Sequence, residues 1–362
     1  MAEQLLRLDQ VQKVFRQRGS SQQLIRAVDG VDLTVCRGES VGLVGESGSG
    51  KSTVARLVLR LLDPTSGRIE FEGRDITTLG GHEMLPIRRR MQAVFQDPYA
   101  SLNAKFTIRE VLSEPYEVHG IRGSARSDQS LDTLLRSVGL DGSLLGRRTH
   151  ALSGGQLQRV AIARALALEP DFIVADEPTS ALDVSVQAQI VNLFLEIQRT
   201  RNVSFLFISH DLDLVGHLAD RIMVMYLGIA VETAPSQQIL SRPLHPYSQA
   251  LISAVPVPQP HLQRARKRVI LLGDPPNAAA VPKGCRFHPR CPIAQAICRE
   301  EAPPLRSMPG QPEHLVACHL APEHTEAAGQ AIASAIGRTQ QRPDSLNRDA
   351  ASTPAVGTGV LT

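Results

Sequence analysis

Residues 40–53 read Ser40-Val-Gly-Leu-Val-Gly45-Glu46-Ser47-Gly48-Ser49-Gly50-Lys51-Ser52-Thr53. Ser40 to Val44 is a short apolar run of the kind that forms a buried strand. It leads into G-x-x-x-x-G-K-S, and Val54 to Leu62 continues as an apolar helical stretch that stops before Asp63-Pro64. Strand, glycine-rich turn and helix in that order build a phosphate cradle. The glycines let the backbone wrap a phosphate with its N–H groups, and the helix N-terminus adds favourable dipole charge. Lys51 is placed to reach the β- and γ-phosphates of a nucleotide, and Ser52 to ligate Mg²⁺. Gly45, Glu46, Ser47, Gly48, Ser49, Gly50, Lys51, Ser52 and Thr53 are therefore the candidate nucleotide contacts.

Outward from this loop the chain offers two further pieces. Phe172-Ile-Val-Ala-Asp176-Glu177 is a buried-type strand that ends in two acids. Asp176 is placed to hold Mg²⁺ through water, and Glu177 to polarise an attacking water. Leu152-Ser153-Gly154-Gly155-Gln156 opens an Ala-, Val- and Leu-rich helix over 156–168 and makes a second anion-type helix end. One nucleotide needs one such end, so the second is expected to serve a nucleotide bound to another subunit.

The rest of the pattern frames these pieces. Residues 1–95 read as strands and turns leading into one helix, and 97–150 as helical patterns inserted in an α/β core, with a helix over 130–138. Beyond 151, helix (186–199) and strand (172–175, 204–208) alternate, which predicts a largely parallel sheet with its ligand at the carboxyl ends of the strands. From about residue 240 prolines accumulate, among them Pro243, Pro246, Pro256, Pro258, Pro260, Pro275, Pro276 and Pro282, so an extended connector is expected and not a continued sheet. Residues 323–362 are poor in large apolar side chains and read as a mobile tail.

Composition narrows the classes. The 362 residues are 42% hydrophobic and 21% charged, an ordinary globular balance for two or three domains. The longest apolar run, Ile222 to Val231, is too short to span a bilayer, and the N-terminus lacks the apolar core of a secretory signal, so a cytosolic chain is expected. A net charge of +3, no Trp and 4% aromatics argue against a nucleic-acid partner. Of five cysteines, Cys36 stands alone in a strand, whereas Cys285, Cys291, Cys298 and Cys318 crowd together. In a reducing compartment that crowding suggests metal before disulfides. The C-x5-C-x6-C-x19-C spacing lacks the tight pairs of structural zinc sites and suits a 4Fe-4S cluster. Zinc and four simply buried thiols stay open, with His288, His314 and His319 near enough in sequence to replace a ligand.

With these pieces in order, the chain resembles the ATP-binding subunits of ABC transporters over about residues 5–320. GESGSGKST is similar to Walker A, LSGGQ to the signature motif, FIVADE to Walker B, and Ser180-Ala-Leu-Asp183 to the D-loop. Gln96 in AVFQDPYASLN stands at the Q-loop glutamine, His210 in FLFISHDL at the switch histidine, and Phe15 where the family stacks an aromatic on adenine. ADEPTSALDVSVQAQIVNL, HPYSQALISAVPVP and GDPPN…PKGCRFHPRCPIA…C…HLVACHL resemble the oligopeptide and dipeptide importer branch, and FQDPYASLN followed by SEPY its second ATPase subunit. Ala104 and Ile229 depart from the branch at positions away from the nucleotide.

The resemblance implies an α/β P-loop NTPase of the ABC nucleotide-binding type over residues 1–240, with a helical subdomain at about 97–165. A Pro/Cys-rich extension would follow over 241–322, the branch's C-terminal region, in which some members are thought to carry a 4Fe-4S cluster. It implies ATP hydrolysis driving peptide import. Glu177, His210 and Gln96 would be catalytic, Ser52, Gln96 and Asp176 would hold Mg²⁺, and Ser153, Gly154, Gly155, Gln156 and Asp183 would complete an ATP site across a head-to-tail dimer. The implied partners are a second ATPase subunit, favoured as a heterodimer, two membrane-spanning permease subunits and, indirectly, an external solute-binding protein. The chain would sit peripherally on the cytoplasmic face of the cell membrane. The alternative is an ABC-type ATPase not coupled to transport.

Overall fold

The computed structural model describes residues 3–16, 24–255, 271 and 279–321. Strands β1 (Gln4–Arg16), β2 (Leu24–Cys36), β3 (Ser40–Val44), β4 (Ser66–Phe71), β5 (Arg74–Asp75) and β6 (Met91–Val94) come first, followed by β7 (Phe172–Asp176), β8 (Ser204–Ser209), β9 (Arg221–Tyr226), β10 (Ile229–Pro235), β11 (Arg306–Met308) and β12 (Gln311–Val316). They form a four-stranded antiparallel sheet, β2-β1-β4-β5, and an eight-stranded sheet, β11-β12-β10-β9-β3-β8-β7-β6. Within the larger sheet β9, β3, β8, β7 and β6 run parallel. Strand β3, which feeds the glycine loop, lies between β8 and β9 and is buried at every position.

Alternation along these strands divides the core between the two faces of the sheet. Leu43, Val174, Leu206 and Ile208 belong to one cluster, with the antiparallel sheet and the helix after the glycine loop. Val44, Ile173, Phe205 and Phe207 belong to the other, with the helices of the 97–166 region. On that second face Phe194 meets Phe205 and Phe207 edge-on at centroid distances of 5.7 and 5.3 Å.

The helices are α1 (Lys51–Val58), α2 (Gly81–Arg90), α3 (Pro98–Ser101), α4 (Ile108–Val118), α5 (Asp128–Arg136), α6 (Gly154–Leu166), α7 (Val184–Arg201), α8 (Leu212–Leu218), α9 (Ser236–Ser241), α10 (Pro246–Ala254) and α11 (Ala296–Glu300). The expected strand–helix alternation after residue 151 is present. Helix α1 stops short of Leu62, because Arg60 takes a left-handed φ of 50° and turns the chain. Helix α2 is a second helix in the first 95 residues; Pro86 in its interior and three consecutive arginines at its end mask its periodicity.

The sheet crosses the expected boundary near 240. Beyond the proline-rich stretch, β12 pairs antiparallel with β10, Glu232 opposite Val316 and Thr233 opposite Leu315. The C-terminal region is thus built onto the edge of the main sheet. Most of the proline-rich connector and the 323–362 tail lie outside the described residues. Among the described residues no helix is long and apolar enough to cross a membrane.

Candidate active site at the carboxyl ends of the parallel strands

The glycine loop is squeezed between two backbone walls. A Cβ at Gly45 (φ 152°) would run into the Met225 carbonyl, and one at Gly50 (φ 106°) into that of Ala27. Gly228 N–H donates to the Ser49 carbonyl at 2.9 Å and pins the loop from β9–β10. Lys51 is buried and folds back, its Nζ donating to the carbonyls of Gly45 (2.7 Å) and Glu46 (2.9 Å). Burial pulls its pKa down, opposed by the carboxylates of Glu177, Asp176 and Glu46. The buried Ser49 hydroxyl has no hydrogen-bond partner among the described residues. A cationic floor with an unspent hydroxyl and glycine backbone fits a phosphate chain.

Strand β7 delivers the acids. Ser52 Oγ donates to Asp176 Oδ1 at 3.3 Å, so the hydroxyl and the carboxylate meet at one point. Burial raises the Asp176 pKa, the Ser52 hydrogen bond offsets that, and Glu177 adds to it. Hard oxygen donors beside a phosphate loop fit Mg²⁺, which would relieve this crowding of negative charge. Glu177 sits at a positive φ of 47°, a conformation a Glu adopts only under local constraint. That turn aims its carboxylate between two side chains from other elements. Gln96 Nε2 donates to Oε2 at 2.9 Å, and His210 Nδ1 lies 3.1 Å from Oε1. The structure therefore brings Lys51, Ser52, Gln96, Asp176, Glu177 and His210 together.

The other expected contacts lie in different settings. Ser153 caps α6: its Oγ accepts from Gln156 N–H at 3.3 Å, and Gln156 Oε1 accepts from Ser153 N–H at 3.1 Å. The near neighbours of Gly154 and Gly155 are Tyr99, Leu182 and Val186. Asp183 caps α7, accepting from Val186 N–H at 3.0 Å and from the Ser185 hydroxyl at 2.7 Å, which lowers its pKa. Phe15 is half-buried at the end of β1 with the Lys13 ammonium 5.3 Å from its ring centroid.

The four clustered cysteines also converge. Burial pushes Cys291 and Cys318 up to about 11, with added repulsion between the four sulfurs, and Cys285 is raised as well. Among the described residues, however, no group of three or more His, Cys, Asp or Glu side chains has the arrangement to hold a metal ion. Nor do the histidines turn to the thiols as replacement ligands. His288 Nδ1 lies 2.9 Å from the Cys285 carbonyl, His314 pairs with Glu232 at 2.7 Å, and His319 Nε2 lies 3.0 Å from the Glu301 carbonyl.

Two contacts on the phosphate loop were not foreseen from the sequence. The Tyr247 hydroxyl accepts from Glu46 N–H at 2.8 Å, and Arg290 grips the Glu46 carboxylate at 2.8 and 3.2 Å. Both residues stand in motif stretches, but only a fold that returns the C-terminal region to the loop reveals their partner.

Known proteins share this sequence and fold. The family model described as ABC transporter matches residues 28–180, and that described as the oligopeptide/dipeptide transporter C-terminal region matches 231–298. The chain is 46% identical over 323 residues to the oligopeptide transport ATP-binding protein AppF of Bacillus subtilis, covering 88% of this chain and 98% of that one. It is 50% identical over 297 residues to the probable peptide ABC transporter ATP-binding protein y4tS of Sinorhizobium fredii, covering 82% and 83%. Among solved structures, the dimeric post-hydrolysis ATP-binding cassette MJ0796 bound to ADP and Pi matches with a TM-score of 0.58 and 30% identity, over 64% of this chain and 99% of that one.

Proposed function

Since this chain belongs to the ATP-binding subunits of oligopeptide ABC transporters, we propose how its residues hydrolyse ATP and pass the result to a membrane transporter. It is the ATPase that energises peptide import. The observation that carries the residue roles is the meeting of Lys51, Ser52, Asp176, Glu177, Gln96 and His210 at the ends of parallel strands.

In this reading Lys51, the loop amides and Ser49 hold the phosphates. Ser52, Asp176 and Gln96 hold Mg²⁺, which when bound neutralises charge on the phosphate oxygens. Glu177 takes the proton of the attacking water. Both its oxygens are engaged, by Gln96 and His210, which fixes the direction of the carboxylate while leaving each oxygen a further lone pair for a proton. His210, once freed, turns an N–H toward the charge that develops on the transferred phosphoryl group. Gln96 is then the residue whose release reports the state of the site to the 97–166 helices.

The Ser153–Gln156 end, with Ser153 exposed and Tyr99 bare beside it, suits the phosphate loop of a second ATPase subunit paired head to tail. We read that partner as a sibling chain, with Asp183 at the shared seam and Phe15 against adenine. A groove of about 280 Å³ is lined by Leu61, Phe95, Glu114, Val118, His119 and Arg164, of which Phe95 immediately precedes Gln96 in the chain. Its bare apolar rim, Leu61 and Val118, suits a cytosolic loop of a permease subunit and would hold the chain peripherally at the membrane. The four cysteines support a metal reading by their convergence alone; that no group of three or more ligating side chains among the described residues is arranged to hold an ion weighs against it.

The test is purification of the tagged full chain from its own membranes in mild detergent. Two membrane-spanning subunits and a sibling ATPase are expected to accompany it. An active ATPase recovered without membrane partners would favour the uncoupled alternative.

A further inference from the structure

The phosphate loop contains a charge that opposes its purpose. Glu46, the first variable residue of G-x-x-x-x-G-K-S, places a carboxylate in a loop that gathers polyanions, close enough to Lys51 to act on its pKa. In this structure every polar part of Glu46 is committed. Its carbonyl accepts from Lys51 Nζ at 2.9 Å, its N–H donates to the Tyr247 hydroxyl at 2.8 Å, and its carboxylate receives both terminal nitrogens of Arg290 at 2.8 and 3.2 Å.

The two outer partners are themselves rigidly mounted. Tyr247 stands at the start of α10 in His245-Pro246-Tyr247, and its N–H donates to His245 Nδ1 at 3.1 Å. The N–H groups of Leu244 and His245 donate to the fully buried Glu232 carboxylate at 2.7 and 3.0 Å, on which His314 of β12 also rests. Arg290 precedes Cys291 in the turn whose Phe287 ring packs on Tyr226 and Tyr247 at centroid distances of 5.3 and 5.5 Å. Arg286 of the same turn fastens it to Asp29 and to the Leu227 carbonyl. A buried arginine bound bidentately to one carboxylate neutralises that charge and fixes its direction.

We propose that Tyr247 and Arg290 are positioning residues of the ATP site: the C-terminal region clamps Glu46, cancels its charge and sets the phosphate loop in its binding shape. This rests on the reading of that loop as the ATP site. The clamp makes nucleotide affinity depend on a region outside the phosphate loop.

The test is titration of the full-length protein with MgADP by calorimetry, beside the thermal midpoint of the nucleotide-free protein. Arg290→Gln leaves Glu46 uncancelled and is expected to weaken MgADP at least fivefold. Tyr247→Phe, nearly isosteric, is expected to weaken it about threefold. Adding Glu46→Gln to Arg290→Gln removes the stranded charge and is expected to recover most of the loss, which repair of a merely disordered region would not do. The clamp is overturned if both single variants bind within experimental scatter of wild type, whatever their thermal midpoints, or if the double variant binds no better than Arg290→Gln. Failure of the wild-type chain itself to bind MgADP would instead overturn the ATP reading, and the clamp with it.

Discussion

The two clusters of chemistry-bearing side chains in this molecule were reached by different routes. At the nucleotide site, six residues from four separated stretches meet because each sits at or just beyond the carboxyl end of a parallel strand or at the helix start that follows it. Sheet geometry does the gathering, so spacing and order in sequence carry the information. The four cysteines sit on turns, one short helix and the chain after β12, and nothing regular dictates where their sulfurs point. Their closeness in sequence foretold convergence but not coordination. Hydrogen bonds complete the first cluster, whereas in the second the groups repel one another in their charged forms.

The largest expected effect tests the first cluster. Glu177→Gln keeps the acceptor for Gln96 Nε2 and the shape of the site but removes the proton acceptor. Turnover is expected to fall by about 10²–10⁴-fold, the usual worth of a general base, with MgATP binding retained. Phosphate release at saturating MgATP measures it. Near-normal turnover would reduce the Gln96–Glu177–His210 meeting to a structural contact and erase the contrast between the clusters.

The next effect tests the second cluster. A folded thiol pKa of about 11 means that the neutral form is favoured, and that the thiolate appears only as pH rises toward 11. In metal-free protein Cys291 and Cys318 are expected to react with iodoacetamide at pH 8 about 100-fold more slowly than an exposed cysteine, because the thiolate is the nucleophile. The rate should climb steadily between pH 8 and 11. Fast alkylation at pH 8, or iron, sulfide or zinc retained through anaerobic purification, would show a site that stabilises thiolates and would make the two clusters alike.

The same contrast explains what was legible in the sequence. The loop at Gly45–Ser52, the strand ending in Asp176 and Glu177, and the cap at Ser153 each announce themselves locally, and the parallel core followed from strand–helix alternation. Helix α2 was hidden by Pro86, the early end of α1 by a backbone turn at Arg60, and the added strand β12 by the long stretch before it. These depend on tertiary packing that overrides local propensity. The hold of Tyr247 and Arg290 on Glu46 spans 201 and 244 residues of sequence, and no local pattern encodes it.

The smallest effect separates a cap from a ligand at the seam between the two kinds of reading. Asp183 accepts from Val186 N–H and the Ser185 hydroxyl, so a purely structural role is complete within the chain. Asp183→Asn keeps a capping oxygen and is expected to leave the thermal midpoint almost unchanged, whereas Asp183→Ala, which removes the cap, should lower it by roughly 2–4 °C in a domain of this size. If the residue also serves the dimer seam, Asp183→Asn will lower turnover of the assembled transporter despite its unchanged melting. Equal turnover in Asp183→Asn and wild type would leave Asp183 as a helix cap alone, with the charge of its carboxylate irrelevant to ATP hydrolysis.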